Sequence, residues 1–197
     1  MLTFADYRPV LTGSKIRLEP LEARHVDELW EAIAPGDITQ WFPVPIRSHA
    51  AMKAFVADAE RLREAKSAVP FATIDLASGR AIGSSRFGNI QHANRVVEIG
   101  WTFLAAPFQR SGMNREAKLL QLTHAFEQWG CNRVEFKTDS LNQQSRNALA
   151  GIGAVEEGTF RNHVICENGR LRHSVWFSIV HDEWPACREK LQTRSIG

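Results

Sequence analysis

The chain has 197 residues and a formal net charge of +2, with 44% hydrophobic and 23% charged residues. This composition is that of an ordinary globular protein, and the length predicts a single domain over residues 1–197. So small a net charge argues against nucleic acid or a membrane surface as a partner. No apolar run approaches the roughly 18 residues that a bilayer span needs, and no secretory signal is recognisable.

The three cysteines, Cys131, Cys166 and Cys187, are scattered along the sequence and form no C-x-x-C or His/Cys cluster. No metal site is therefore expected. An odd number of separated cysteines favours reduced thiols in a cytoplasmic protein. We interpret all three as structural residues, because nothing in the sequence predicts a base beside any of the thiols.

The N-terminal half predicts a strand, two helices and a β-hairpin, in that order. The strand alternates apolar and charged residues, whereas each helix repeats apolar residues at spacings of three and four. Ser48 is expected to cap the second helix. In the loop between the helices, Trp41 and Phe42 are candidates to line a substrate pocket, with packing against the preceding helix as the alternative. The predicted boundaries are 14–21 for the strand, 23–34 for the first helix, and 69–76 and 81–90 for the hairpin.

The centre of the sequence, residues 96–130, predicts a strand, a short loop and a helix. A period of two places every second strand residue on the same face. One face is predicted to carry Val97, Ile99, Trp101 and Phe103, and the other Glu98, Gly100 and Thr102. A glycine within such a strand often marks the close approach of another backbone or a ligand. The helix is expected to end at Gly130.

A polar loop connects this strand to this helix. It consists of Gln109, Arg110, Ser111, Gly112, Met113 and Asn114. The first turn of a helix has backbone N–H groups without partners and a positive partial charge. With Arg110 and Arg115 beside it, the turn is a candidate receptor for a phosphate, although an ordinary loop-to-helix junction is the alternative.

The C-terminal part predicts a strand, a helix that Asn142 opens as N-cap, a long β-hairpin and a short terminal helix. Asn-Gly between the two hairpin strands is a strong turn signal. The predicted boundaries are 133–139, 156–166 and 171–180 for the strands, and 181–191 for the last helix. The whole order predicts an α+β fold with a mixed sheet and helices on both faces. The last hairpin is a candidate edge for a homodimer.

The loop at residues 109–114 resembles the acetyl-coenzyme A signature of the GNAT acetyltransferases, Gln/Arg-x-x-Gly-x-Gly/Ala, with Asn114 at the last position. The order of elements extends this resemblance to nearly the whole chain, which is most similar to the RimJ/RimL-like branch. His173 departs from the pattern, since that group usually has Asp there. The segments that carry the resemblance are 98–101 (EIGW), 114–118 (NREAK), 137–139 (KTD), 142–146 (NQQSR), 157–161 (EGTFR) and 177–179 (FSI).

The resemblance implies a GNAT-like acyl-coenzyme A N-acyltransferase fold with a central, mostly antiparallel, seven-stranded sheet. It also implies an acetyl-coenzyme A-dependent N-acetyltransferase in which a primary amine attacks the thioester directly in a ternary complex. The loop amides would hold the pyrophosphate, and Asn142 would hydrogen-bond the pantetheine arm. That arm would lie along the strand from Gly100 to Leu104, where backbone groups of Trp101, Thr102 and Phe103 would bind it and polarise the carbonyl.

Acetyl transfer to an amine also needs a base and a proton donor for the leaving thiolate. Glu98 is the candidate base, directly or through a water, and the alternative is a solvated strand residue paired with a neighbouring arginine such as Arg86. Ser145 is expected near the sulfur, where it would supply the proton, and it also belongs to the predicted helix cap. Arg161 and His163, which a period of two places on one strand face, join Trp41 and Phe42 as candidate acceptor contacts.

Two other hypotheses remain open at the level of sequence. The first is a non-catalytic acyl-coenzyme A-binding module of the same fold. The second is a nucleic-acid binder using Arg110, Arg115 and Arg146, which the modest net charge disfavours. The acceptor stays open among a protein N-terminus, an amino acid, a polyamine and an antibiotic.

Overall fold

The computed structural model describes residues 6–193. Within this range eight strands form one sheet: β1 Leu11–Thr12, β2 Ile16–Pro20, β3 Val69–Asp75, β4 Ala81–Gln91, β5 Val96–Leu104, β6 Arg133–Asp139, β7 Val155–Ile165 and β8 Leu171–Val180. Their order across the sheet is β1-β2-β3-β4-β5-β6-β8-β7. Among the strands of the described residues, β5 and β6 are the only parallel neighbours, and the other pairs are antiparallel. The predicted mostly antiparallel sheet is therefore confirmed.

The predicted number of seven strands is one too few. The strand that the sequence does not reveal is β1, whose two residues are too short to show an alternating pattern. It pairs with β2 across a turn in which the N–H of Gly13 donates to the carbonyl of Ile16 at 2.9 Å. This small hairpin brings Lys15 to the predicted phosphate loop.

Helices cover both faces of the sheet, as the sequence predicts. Ser48 caps its helix through a hydroxyl that accepts the N–H of Ala51 at 3.1 Å. Asn142 caps another, since its side-chain oxygen accepts the N–H of Ser145 at 3.0 Å. Each cap satisfies an N–H group that the first helical turn leaves unpaired. The α-helices are α1 Val26–Ile33, α2 His49–Glu64, α3 Met113–Thr123, α4 Gln143–Gly151 and α5 Trp184–Thr193.

Each face of the sheet has its own hydrophobic core. Helices α1 and α2 pack on one side, called the α1/α2 face, where Leu29, Met52 and Phe103 are buried. Helices α3, α4 and α5 pack on the opposite side, called the α3 face, around Phe87 and Leu122. Full burial of a side chain of this size contributes about 1.5–3 kcal/mol each. The two cores hold the central strands in place from both sides.

The helix that begins with α3 continues as a π-helical turn over His124–Gln128. The N–H of Trp129 donates to the carbonyl of His124, five residues earlier, at 3.0 Å. The wider turn keeps Phe126 and Trp129 buried. Gly130, with φ +65°, ends the segment where the sequence predicts the end of the helix.

Candidate active site

Strands β5 and β6 diverge in the middle of the sheet. Their parallel pairing joins Val96–Glu98 to Arg133–Glu135, and no later pair between them is found within residues 6–193. Because β5 continues to Leu104 and β6 to Asp139, a wedge-shaped opening separates residues 99–104 from residues 136–139. This opening is the β5/β6 wedge. Its two strand edges offer backbone groups to an extended ligand, as any unpaired sheet edge does.

A β-bulge interrupts β5 beside the wedge. Gly100 pairs with Arg86 and Phe103 pairs with Ser84, so that Trp101 and Thr102 together face a single residue of β4. Trp101 has φ +50°, a left-handed conformation that bulky residues rarely adopt. The strand is therefore strained at the position where the sequence analysis expects the thioester.

The bulge overturns the predicted alternation of side chains along β5. Ile99 belongs to the core of the α3 face, whereas Phe103 belongs to the core of the α1/α2 face. Trp101 also lies on the α1/α2 face, and Thr102 instead contacts α3. The prediction that Thr102 shares a face with Glu98 is therefore wrong, because one extra residue inverts a period of two.

The predicted phosphate loop is fastened to the end of β5. The side-chain amide of Gln109 donates to the carbonyl of Leu104 at 3.0 Å. Arg110 and Gly112 then turn the chain into α3 with φ values of +61° and +88°. Residues 110 and 111 are exposed, so the N-terminus of α3 is open to an anion from solvent.

Met113 and Asn114 form the first turn of α3. The N–H of Met113 donates to the hydroxyl of Ser111 at a long 3.4 Å. Met113 also packs at the margin of the α3-face core, and Asn114 is half-buried. All six residues of the predicted loop are thus gathered at one helix N-terminus beside the wedge.

Lys15 reaches this loop from the N-terminal hairpin, which the sequence analysis does not anticipate. Its Nζ donates to the carbonyl of Ser111 at 3.3 Å, and a Cβ on Gly112 would lie 3.6 Å from it. Glu116 of α3 fixes the hairpin, because its carboxylate accepts the backbone N–H groups of residues 14–16. Because residues 14–16 and their partners in α3 and the loop are far apart in the sequence, no local sequence pattern predicts these contacts. Lys15 therefore adds a cation that the sequence does not predict to the candidate anion site.

Asn142 and Ser145 lie at the start of α4, which follows the β6 wall of the wedge. Both are half-buried, and each takes part in the helix cap. The side-chain amide of Gln144 donates to the side-chain oxygen of Gln109 at 3.4 Å. This contact joins α4 to the phosphate loop, so the predicted cofactor residues of the two walls meet at one end of the wedge.

Glu98, the candidate base, is only 3% exposed and lies where the wedge opens. Its carboxylate accepts hydrogen bonds from the amide of Asn89 and from Nζ of Lys137, the latter at 3.2 Å. The alternative that pairs Glu98 with Arg86 on the surface is therefore wrong. The guanidinium of Arg86 instead lies between two aromatic rings, at 5.0 and 4.8 Å from their centroids.

A hollow of about 790 Å³ opens where β7 leaves its regular pairing with β8. It is lined by Phe160, Arg161, Asn162, His163 and His173. The predicted acceptor residues Arg161 and His163 therefore share one cavity. Arg161 and His163 come together because the pairing of β7 with β8 is irregular here and Asn162 adopts a left-handed conformation, at φ +50°. The alternation of a regular strand is not the cause.

A series of contacts from His163 through Trp176 and Lys137 connects this hollow to Glu98. The imidazole of His163 packs against Trp176 with ring centroids 4.9 Å apart, and Nδ1 lies 3.0 Å from the hydroxyl of Ser174. The ammonium of Lys137 lies 5.0 Å from the Trp176 ring and also contacts Glu98. Partial desolvation and the nearby Lys137 lower the pKa of His163, so the imidazole is neutral at pH 7.

The other two predicted acceptor residues have different surroundings. Phe42 packs in the α1/α2 core, with its ring centroid 6.4 Å from that of Phe55 and 6.3 Å from that of Phe103. The carbonyl of Trp41 accepts a hydrogen bond from Nη1 of Arg172 at 3.1 Å, which fastens the loop to β8. Neither side chain lines the hollow. The packing alternative therefore describes Phe42.

The cysteines are buried, and burial raises the pKa of Cys131 to about 12 and also raises that of Cys187. Between residues 6 and 193, no group of three or more His, Cys, Asp or Glu side chains is placed to hold a metal ion. No helix in that same range has the length and apolar composition that crossing a bilayer requires.

Comparisons with known proteins agree with this geometry. The family model of the acetyltransferase (GNAT) domain matches residues 15–155. The Bacillus subtilis (strain 168) protein YdaF, named as a ribosomal N-acetyltransferase, is 32% identical over 109 residues. Those residues are 55% of this chain and 58% of that protein, so the match spans less than two thirds of the relative.

Solved structures extend the similarity to almost the whole fold. A GCN5-related N-acetyltransferase from Brucella melitensis has a TM-score of 0.86 at 31% identity, covering 94% of this chain and 85% of that one. RimJ from Mycobacterium smegmatis, solved with CoA-disulfide, has a TM-score of 0.78 at 22% identity, covering 95% and 92%. The chain belongs to the GNAT acetyltransferase family.

Proposed function

We propose that the protein transfers the acetyl group of acetyl-coenzyme A to a primary amine. The observation that carries this proposal is the β5/β6 wedge, with an exposed helix N-terminus at one end and a buried carboxylate where it opens. An extended thioester arm fits such a gap between strands, and a helix N-terminus is a ready site for its diphosphate. Family membership supports the same cofactor.

The cofactor contacts follow from the two walls of the wedge. The amides of residues 110–114 bind the pyrophosphate, and the cations of Arg110 and Lys15 add to its attraction. The pantetheine arm runs along residues 100–104, and Asn142 contributes a hydrogen bond from the start of α4. Bulge residues Trp101 and Thr102, with Phe103, then polarise the thioester carbonyl through their backbone groups.

The transfer needs two proton movements besides the attack itself. The amine nitrogen attacks the carbonyl carbon, so that a C–N bond forms as the C–S bond breaks. Glu98 takes a proton from the acceptor ammonium, directly or through a water, which frees the amine lone pair for the attack, and the Ser145 hydroxyl or a water gives a proton to the leaving thiolate. Nζ of Lys137, at 3.2 Å, and the amide of Asn89 hold this carboxylate in place.

The acceptor enters from the hollow at β7, where Arg161 and the neutral imidazole of His163 are its first contacts. The Bacillus subtilis relative is named as a ribosomal N-acetyltransferase, so we take an amine of a ribosomal protein as the leading acceptor, with small-molecule amines as the alternative. No metal ion is needed for this reaction. The exposed strand β7 stays the predicted edge of a homodimer, and the cytoplasmic location also stays a prediction.

A free-thiol assay with acetyl-coenzyme A and a library of amines tests the function. The library contains N-terminal peptides of ribosomal proteins, amino acids, polyamines and aminoglycosides. Amine-dependent release of coenzyme A is expected for at least one class. Calorimetric binding of coenzyme A without thiol release against any amine would instead favour the non-catalytic module.

A further inference from the structure

We propose that Arg86 and Lys118 are positioning residues that clamp the β5 bulge from opposite faces of the sheet. On this proposal they hold Trp101 and Thr102 in the geometry that polarises the thioester carbonyl. The inference rests on the proposed function, which places the thioester beside the bulge. It adds two buried cations to the site, neither of which the sequence analysis selects for such a role.

Arg86 holds the bulge on the α1/α2 face. It is 2% exposed, and its guanidinium carbon lies 4.8 Å from the centroid of the Trp101 ring. Gly88 leaves the room that the indole occupies, because a Cβ there would come within 2.6 Å of the ring. Nε of Arg86 has no hydrogen-bond partner, and the paired carboxylate of Asp58 is 3.9 Å from Nη1. The aromatic rings are thus the main partners of this cation.

Lys118 holds the bulge on the α3 face. It is 6% exposed, and its Nζ donates to the hydroxyl of Thr102 at 3.0 Å and to the side-chain oxygen of Gln121 at 3.5 Å. The Thr102 hydroxyl lies 3.0 Å from that of Ser85, the residue opposite the bulge. Burial alone lowers the pKa of Lys118 to about 7. No ion pair joins it to a carboxylate within the described part of the chain.

Two such cations are costly, since a buried charge without a close counter-ion destabilises the fold and apolar side chains would pack more favourably. Their common feature is contact with consecutive residues of one strained bulge. Hydrogen-bond donors that stabilise a developing oxyanion act only when they are held rigidly, because small misplacements lower the rate. The guanidinium charge of Arg86 also favours the negative charge that develops on the carbonyl oxygen. A role in positioning the bulge therefore explains why the fold keeps these two destabilising side chains.

Difference infrared spectroscopy tests the clamp without an acceptor amine. Acetyl-coenzyme A labelled with carbon-13 at the thioester carbonyl is bound to wild type, and its stretching frequency is expected below that of the free thioester. In Arg86→Met and Lys118→Met the frequency is expected to return toward the free value while coenzyme A still binds. Should either variant fail to fold, Arg86→Lys and Thr102→Val probe the same two contacts with smaller changes, and intermediate frequencies are expected.

Arg63→Met is the matched control. Arg63 is also buried, at 8% exposure, and its guanidinium donates to the carbonyl of Leu21 at 2.7 Å, outside the site. Its replacement should lower stability and leave the carbonyl frequency unchanged. With a responsive amine, the two clamp variants should lower kcat by about tenfold at an unchanged KM for acetyl-coenzyme A.

The outcomes separate this inference from the proposed function. A carbonyl frequency that is the same in wild type and in both clamp variants, with coenzyme A bound to all three, would overturn the clamp and leave acetyl transfer standing. A frequency change of equal size in Arg63→Met would also overturn it, because general destabilisation would then explain the effect. Failure of wild type to bind coenzyme A would overturn both proposals.

Discussion

Among the irregularities that interrupt the sheet, the bulge of β5 at Trp101 and that of β7 at Asn162 differ in how firmly their surroundings hold them. In β5, Trp101 is held between Arg86 and the rest of the buried strand. In β7, residues 161–163 face His173 alone, and all of them are exposed. Both bulges contain a left-handed residue with φ +50°, namely Trp101 and Asn162.

The difference separates the part of the site that serves the cofactor from the part that serves the acceptor. Asparagine adopts the left-handed conformation at far lower cost than tryptophan, so backbone strain is concentrated in the β5 bulge. A cofactor common to every turnover is best served by a rigid, buried segment. An exposed bulge with polar and aromatic side chains can instead vary its contacts with the acceptor.

The largest effect should come from Glu98, a buried residue beside the β5 bulge. Glu98→Gln retains the size of the side chain but removes the proton acceptor, so kcat should fall about 100-fold with little change in coenzyme A affinity. Steady-state kinetics and calorimetry measure the two quantities. Glu157→Gln, which removes a carboxylate paired with Arg133, is the control and should retain wild-type kcat. Wild-type kcat in Glu98→Gln would exclude this residue as the base.

The second effect concerns the buried amino group of Lys118, which should make the free energy of unfolding depend on pH. Its folded pKa of about 7 lies below the unfolded value of 10.5, so between these two pH values the unfolded chain binds more protons. The free energy of unfolding of wild type, relative to Lys118→Met, should therefore rise by up to about 1.4 kcal/mol per pH unit between pH 7 and 10.5.

Denaturant unfolding of both proteins at several pH values measures this difference. Below pH 7 the lysine is protonated in both states, so the difference should level off with wild type at its greatest disadvantage. A difference that does not vary from pH 7.5 to 9.5 would show that the amino group is not desolvated as the structure indicates.

The third effect concerns coenzyme A binding by the loop that connects β5 to α3. Gly112 has φ +88°, and an alanine in that conformation costs about 1–2 kcal/mol. Because the loop must shift to relieve this strain, Gly112→Ala should weaken coenzyme A binding by about tenfold in calorimetry. Gly79→Ala carries a similar penalty at φ +72° in a distant turn, and its affinity should equal that of wild type. Equal coenzyme A affinities in both variants would show that the loop does not take part in cofactor binding.

The smallest effect is expected in the exposed bulge. His163→Ala removes one neutral contact near the acceptor, so the acceptor KM should rise roughly threefold to tenfold while coenzyme A affinity is unchanged. His181→Ala, at an exposed imidazole beside Asp182, is the control. A loss of coenzyme A affinity in His163→Ala would end the division of the site into a cofactor side and an acceptor side.

The elements that the sequence predicts correctly are those specified by nearby residues. The caps by Ser48 and Asn142, the end of a helix at Gly130 and the Asn-Gly hairpin each depend on a few consecutive positions. The order of elements along the chain, apart from β1, also follows, because it is the sum of such local elements. These features locate the wedge and gather the phosphate loop beside it.

The features that the sequence does not reveal depend on contacts between distant segments. The bulge at Trp101 follows from its pairing with β4, and a regular period of two gives no sign of it. Lys15 reaches the phosphate loop only because Glu116 holds the N-terminal hairpin against α3. Lys137 contacts Glu98 across the opening wedge for the same reason, since neighbouring strands bring the two together.

The decisive experiment is a crystal structure of the protein with acetyl-coenzyme A. We expect the pyrophosphate on the amides of residues 110–114 and the thioester in the β5/β6 wedge beside Trp101, with Glu98 on the acceptor side. A nucleotide bound away from that loop, or a thioester outside the wedge, would contradict the account.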